Sequence, residues 1–105
     1  MAQAAPRRMQ VAESSRPALA RHARLRFDET RDRWVLLVPE RVLAPDEVAI
    51  EVLQLCDGDR DVAGIADLLA AKYAAAREVI AADVIELLQG LALKGFLVNA
   101  REKVQ

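Results

Sequence analysis

Only one cysteine and one histidine occur among the 105 residues, and these two shortages remove most of the chemistry open to so short a chain. A structural zinc site takes about four Cys or His ligands, so the pair cannot build one. A lone cysteine forms no internal disulfide and suits a reducing cytoplasm, which makes cytoplasmic the expected location. His22 stands at the edge of an irregular N-terminal lead-in and reads as an exposed side chain. Cys56 lies beside Leu53 and Leu55 with no adjacent histidine to lower its pKa, so it reads as a small buried apolar residue rather than a nucleophile. Glycine is also scarce, at four residues, and no glycine-rich phosphate loop occurs. "DGD" at 57–59 resembles part of a calcium loop, but the remaining ligand spacing is missing, and a helix end followed by a turn is the simpler reading. The carboxylates are scattered among arginines, the pattern of a solvated surface. We therefore expect no catalytic residue, no metal site and no cofactor, and not an enzyme.

Long apolar runs are lacking too. None approaches the roughly 20 residues that span a bilayer, and "MAQAAPRRMQVAESSRPALA" has no continuous apolar centre of the secretory type. Its arginines and alanines leave a transit peptide open, but a flexible tail is simpler. The net charge is −1, with +3 in residues 1–23 and the balance acidic, which gives no nucleic-acid footprint on the remainder. What is abundant is hydrophobicity, at 53% against 30% charged residues. In a chain of this length that means one modest core and little room for a deep cleft.

Organisation follows from periodicity. Residues 1–20 show no sustained period, contain Pro6 and Pro17, and are expected to be a flexible tail. "RLRF" from Arg24 alternates as a half-buried strand does, "DETRDR" is a polar turn, and "WVLLV" is a strand apolar enough to be covered on both faces. Pro39 interrupts pairing, "PER" turns the chain, and "RVLA" makes a short third strand beside the second. Pro45 suits the first position of a helix whose Val48, Ala49, Val52, Leu53 and Leu55 share a broad face, with Gly58 as its left-handed end. Asp61 is an N-cap for a second helix with Ile65, Leu68, Leu69 and Tyr73 inward. A third helix begins at Arg77, repeats Ile80, Val84, Leu87, Leu88 and Leu91, and ends at Gly95. "FLV" adds a brief final strand. The fold class is α+β, a three-stranded antiparallel sheet followed by a three-helix bundle, winged-helix-like in its order. The expected boundaries are a tail at 1–20, a domain at 21–99 and a C-terminal tail at 100–105.

Three binding readings suit such a fold. A winged-helix nucleic-acid or regulatory domain would use 61–73 and 77–94 as a helix-turn-helix, but the third helix sets Arg77 and Lys94 against Glu78, Asp83 and Glu86, the wrong sign for phosphates. A short third strand at a sheet edge offers instead a template for an added peptide strand. The same edge allows a weak homodimer by strand pairing. The third helix carries apolar residues on more than one side, Ile85 and Leu93 as well as the main stripe, more than one small core needs.

"RLRFDETRDRWVLLVPERVL", "EVLQLCDGDRDVAGIADLLAAKY" and "VIAADVIELLQGLALKGFLV" together resemble the PqqD family, small pyrroloquinoline quinone (PQQ) biosynthesis proteins that hold the precursor peptide. The resemblance spans about residues 20–98. It rests on the "RLR" strand, the "WVLL-PE" strand and turn, the "DG" after the first helix and the "DV--LL--L" helix. It implies a non-catalytic recognition element for a ribosomally made peptide, which it presents to a radical S-adenosylmethionine (SAM) enzyme, the PQQ synthase that cross-links a glutamate to a tyrosine. It further implies strand addition beside the third strand, in a groove shared with the third helix. Carried onto this chain, the peptide-binding residues are Arg41, Val42, Leu43 and Ala44 from the strand, and Asp83, Val84, Leu87, Leu88 and Leu91 from the helix. The chain departs from the family in "APDEV", where an asparagine cap is common, and in the alanine-rich "AAAREVI" between the last two helices.

Overall fold

The computed structural model describes residues 9–100, in the order β1 Pro17–Leu19, β2 Arg24–Asp28, β3 Arg33–Val38, β4 Arg41–Leu43, α1 Glu47–Gln54, α2 Val62–Tyr73, α3 Arg77–Leu93 and β5 Leu97–Asn99. The expected α+β class, with a three-stranded antiparallel meander in the order β2-β3-β4 followed by three helices, is what the chain forms. Leu25 and Leu43 flank Leu36 across the sheet, and all three face the helices as part of the core or packed on it. Asp28 shapes the first turn, its Oδ1 accepting from the Thr30 N–H at 3.0 Å. The second turn puts Pro39 ahead of Glu40 at φ 67°, the arrangement of a type II turn.

Each helix starts and stops for a local reason. Asp46 caps α1 by accepting from the Ala49 N–H at 2.8 Å. Pro45 therefore precedes the cap rather than occupying the first helical position, because the aspartate carboxylate satisfies an otherwise orphaned donor. α1 ends at Leu55, not Gly58. Gly58, at φ 86°, shapes the following turn, and an added Cβ there would lie 3.2 Å from that of Ala100. Asp61 caps α2 as expected, accepting from the Gly64 N–H at 2.8 Å. Ala74 stops α2 in the left-handed region at φ 51°, which is how an alanine run breaks a helix. The buried centre joins Leu36, Val52, Leu53, Ile65 and Leu88.

The N-terminal expectation is corrected over the second half of the lead-in. Residues 1–8 and 101–105 lie outside the described residues, but Pro17–Leu19 pair antiparallel with Leu97–Asn99, forming a second, two-stranded sheet. Ahead of that strand, the carbonyls of Ser15 and Glu13 accept from the Val62 and Ala63 N–H groups, each at 2.9 Å, and so satisfy donors at the start of α2 that no helical turn can reach. Gln89 in α3 donates to the Met9 carbonyl and accepts from the Val11 N–H, both at 2.9 Å. Arg77 forks onto Glu13 at 2.7 and 2.9 Å and reaches Asp67 at 2.8 Å. The Arg77–Glu13 and Gln89–Met9 partners lie 64 and 80 positions apart in sequence, so local periodicity carries no trace of them.

Candidate functional site

β4 is an edge strand: its only partner among the described residues is β3. Its side chains alternate. Val42 pairs with Leu37 and Leu43 with Leu36, which turns Leu43 towards the core and Val42 to the opposite face, where it is 53% exposed. Arg41 and Ala44 are exposed. Half the backbone groups of such a strand point away from its partner, so the edge offers N–H and C=O groups whatever the side chains are.

Two residues beyond Ala44, Asp46 begins the rim of a pocket of about 230 Å³ between the helices. Val48, Ala49 and Val52 of α1 form one wall, Leu69 and Tyr73 of α2 the end, and Ile80, Asp83, Val84 and Leu87 of α3 the other wall. The lining is apolar apart from Asp46, Asp83 and the Tyr73 hydroxyl. That hydroxyl donates to Glu51, which also pairs with Lys72. Hydrogen bonds from Lys72 and then Tyr73 hold the Glu51 carboxyl below the usual carboxylate range, so the network is anionic at its centre at neutral pH.

The nine residues implied by resemblance separate by position. Asp83, Val84 and Leu87 line the pocket. Arg41, Val42, Leu43 and Ala44 form the adjacent strand and its exit. Leu91 is half-buried against the core. Leu88 is corrected: it has no exposed surface and belongs wholly to the core, because it sits about 100° around α3 from Leu87. Sequence reasoning missed Asp46, Val48 and Tyr73 as pocket residues. Periodicity put Val48 and Tyr73 inward, yet they are 58% and 49% exposed. The polar end of tyrosine was the only available signal. Leu68, also expected inward, is 48% exposed, since the Ile65–Leu69 line of α2 already fills the α2–α3 contact. Cys56 is buried as expected, its Sγ–H donating to the Val52 carbonyl at 3.3 Å.

A family model described as coenzyme PQQ synthesis protein D (PqqD) matches residues 33–97. The chain belongs to the PqqD family. It is 67% identical over 98 residues to the PqqA binding protein of Rhodopseudomonas palustris strain TIE-1, covering 93% of this chain and 96% of that one. It is 65% identical over 100 residues to the PqqA binding protein of Bradyrhizobium diazoefficiens, covering 95% and 97%. Among solved structures, it is similar to the PqqD truncation of Methylobacterium extorquens PqqCD, a functional, stand-alone recognition element for ribosomally synthesized and post-translationally modified peptides. That similarity has 45% identity and a TM-score of 0.71 over 83% of this chain and 93% of that one. Xanthomonas campestris PqqD is likewise 45% identical, with a TM-score of 0.50 over 80% and 93%. Among the described residues no helix is long and apolar enough to cross a membrane.

Proposed function

We propose that this chain binds the PqqA precursor peptide by strand addition along β4 and presents it to a radical SAM enzyme, in the cytoplasm and without catalysing a reaction itself. The observation that carries the reading is an edge strand, paired on one side only among the described residues, that leads into an apolar pocket walled by α3. Main-chain hydrogen bonds to β4 supply affinity that depends little on sequence, and the pocket chooses side chains. Leu87, Val84 and Ile80 favour an apolar residue, while the Asp46 and Asp83 carboxylates on the rim favour a basic or hydroxyl group beside it. The names of close relatives support the peptide as ligand. The family resemblance supports the enzyme that receives it. The nucleic-acid alternative loses its cationic helix: Arg77, at the head of α3, is engaged by two carboxylates.

The test is a titration of ¹⁵N-labelled protein with PqqA peptide. Saturable amide shifts should cluster at 41–44 and 83–91. The Leu87→Asp variant, still folded by circular dichroism, should bind at least about tenfold more weakly, the loss expected when one buried apolar anchor is replaced by a charge. Shifts scattered over the surface, or unaltered affinity in that variant, would overturn the proposed site.

A further inference from the structure

The pocket does not end at α1. Asp46, Val48 and Tyr73 line it and also line a second, wider cleft of about 1020 Å³ on the far side of that helix. The floor of this cleft is the open end of the helix-facing side of the sheet, where Phe27 of β2 lies opposite Trp34 of β3 and the rings meet edge to face with centroids 5.7 Å apart. Ile50 of α1 and Pro45 complete the apolar lining. Exposed large apolar side chains concentrate here: of eight among the described residues, Phe27, Trp34, Val48 and Tyr73 share this one cleft. Concentration of that kind, rimmed by charge, marks an interaction surface.

We propose that the cleft is the continuation of the peptide groove, and that it takes a segment of the same peptide outside the strand-added stretch, anchored by an aromatic or large aliphatic side chain on Phe27, Trp34 and Val48. This rests on the peptide-binding reading above and extends its footprint. Continuity identifies the occupant, because a chain leaving the pocket passes over Val48 and Tyr73 onto the aromatic pair. Charge does not select it. Arg31 is paired with Asp28 and Lys72 with Glu51, while the lining also holds Arg33 together with the acidic Asp32 and Glu47. Apolar contact therefore decides which side chain docks, and the paired aromatics, already held edge to face, lose little freedom on binding it.

Trp34 is the only tryptophan, so the labelled protein gives one indole N–H signal, a reporter placed in the cleft. The experiment titrates the full chain with unlabelled PqqA peptide and with versions shortened from each end. With the full peptide, the indole signal and the amides at 83–87 should saturate together. Shortening from one end should abolish the indole shift, preserve the shifts at 83–87 and weaken binding by about tenfold, the effect of losing one aromatic anchor. An indole signal that stays still while the groove saturates overturns the extension and leaves the groove intact. So does an indole shift that survives every shortened peptide still filling the groove, since it is then transmitted through α1. Silence at both 41–44 and 83–91 overturns the peptide-binding reading, and the extension with it.

Discussion

Cys56 shows how burial settles a residue's chemistry. Removal from water, aided by the neighbouring Asp57 charge, pushes its thiol up to about 12, so the thiolate is absent at neutral pH. Alkylation by iodoacetamide at pH 8 should therefore follow unfolding rather than direct attack, and its rate should rise with denaturant in step with the loss of circular dichroism. Because the folded thiol is raised, the stability linked to it is fully present below the ordinary thiol range and is lost as pH rises through about 12. Ala74 makes a second prediction at this scale. It holds a left-handed conformation at the end of α2, where glycine has no Cβ to strain. Ala74→Gly should raise stability by up to about 1 kcal/mol in a urea melt.

At the scale of elements, the proposed binding mode divides the residues of β4 and α3 between fold and recognition. In an antiparallel pair, successive N–H groups point alternately towards the partner and away from it. Proline placed in turn at Arg41, Val42 and Leu43 should thus produce two classes of variant. Where the lost N–H faced β3, the melt should shift down. Where it faced the free edge, the fold should stand and peptide affinity should fall. A uniform effect at all three positions would contradict strand addition. In α3, Leu88→Ala should cost about 2–5 kcal/mol, the range for emptying a core leucine site, whereas a change at Leu87, on the pocket wall, should act mainly on peptide affinity.

Much at this scale was legible in sequence. The meander, the Asp61 cap and the limits of α3 follow from alternation, helical period and cap chemistry. The exact rotation of each helix does not. A stripe as broad as Val48 to Leu55 exceeds what one neighbour can cover, so periodicity cannot tell which of its members face the core and which form a pocket wall. The same limit applies to Tyr73, and to Leu88 against Leu87, adjacent residues on a helix whose apolar positions extend around most of it. β1 was illegible for another reason: three residues are too few to show a period, and both the partner strand and the Gln89 bonds come from the other end of the chain.

For the whole molecule, the segment from Met9 to Leu19 ties together parts that are otherwise only neighbours. It caps α2 through its carbonyls, engages α3 through Gln89 and Arg77, and completes a sheet with β5. Replacing Gln89 with alanine removes both backbone bonds to Met9 and Val11. It should cost about 1–2 kcal/mol in denaturant melts and speed hydrogen exchange at Val11 before exchange at Leu36. Acid should loosen the same segment. The hydrogen bonds from Arg77 hold the Glu13 carboxyl below its usual range. Its contribution is present above that range and is lost as pH falls through the lowered value. Proteolysis within residues 9–20 should accelerate there ahead of global unfolding.

The pairing of Pro17–Leu19 with Leu97–Asn99 also bears on how the protein is made. β1 must wait for about 80 further residues before its partner emerges from the ribosome. At about 5–20 residues per second, that delay is several seconds. Throughout it Met9, Val11 and Leu19, which end packed against the core, have no completed surface to cover them. A nascent chain arrested before Leu97 should therefore carry a folded meander behind an N-terminal segment open to proteases and to chaperones that bind apolar stretches. Emergence of Leu97–Asn99 closes that interval, so translation itself sets when the β1 segment can dock.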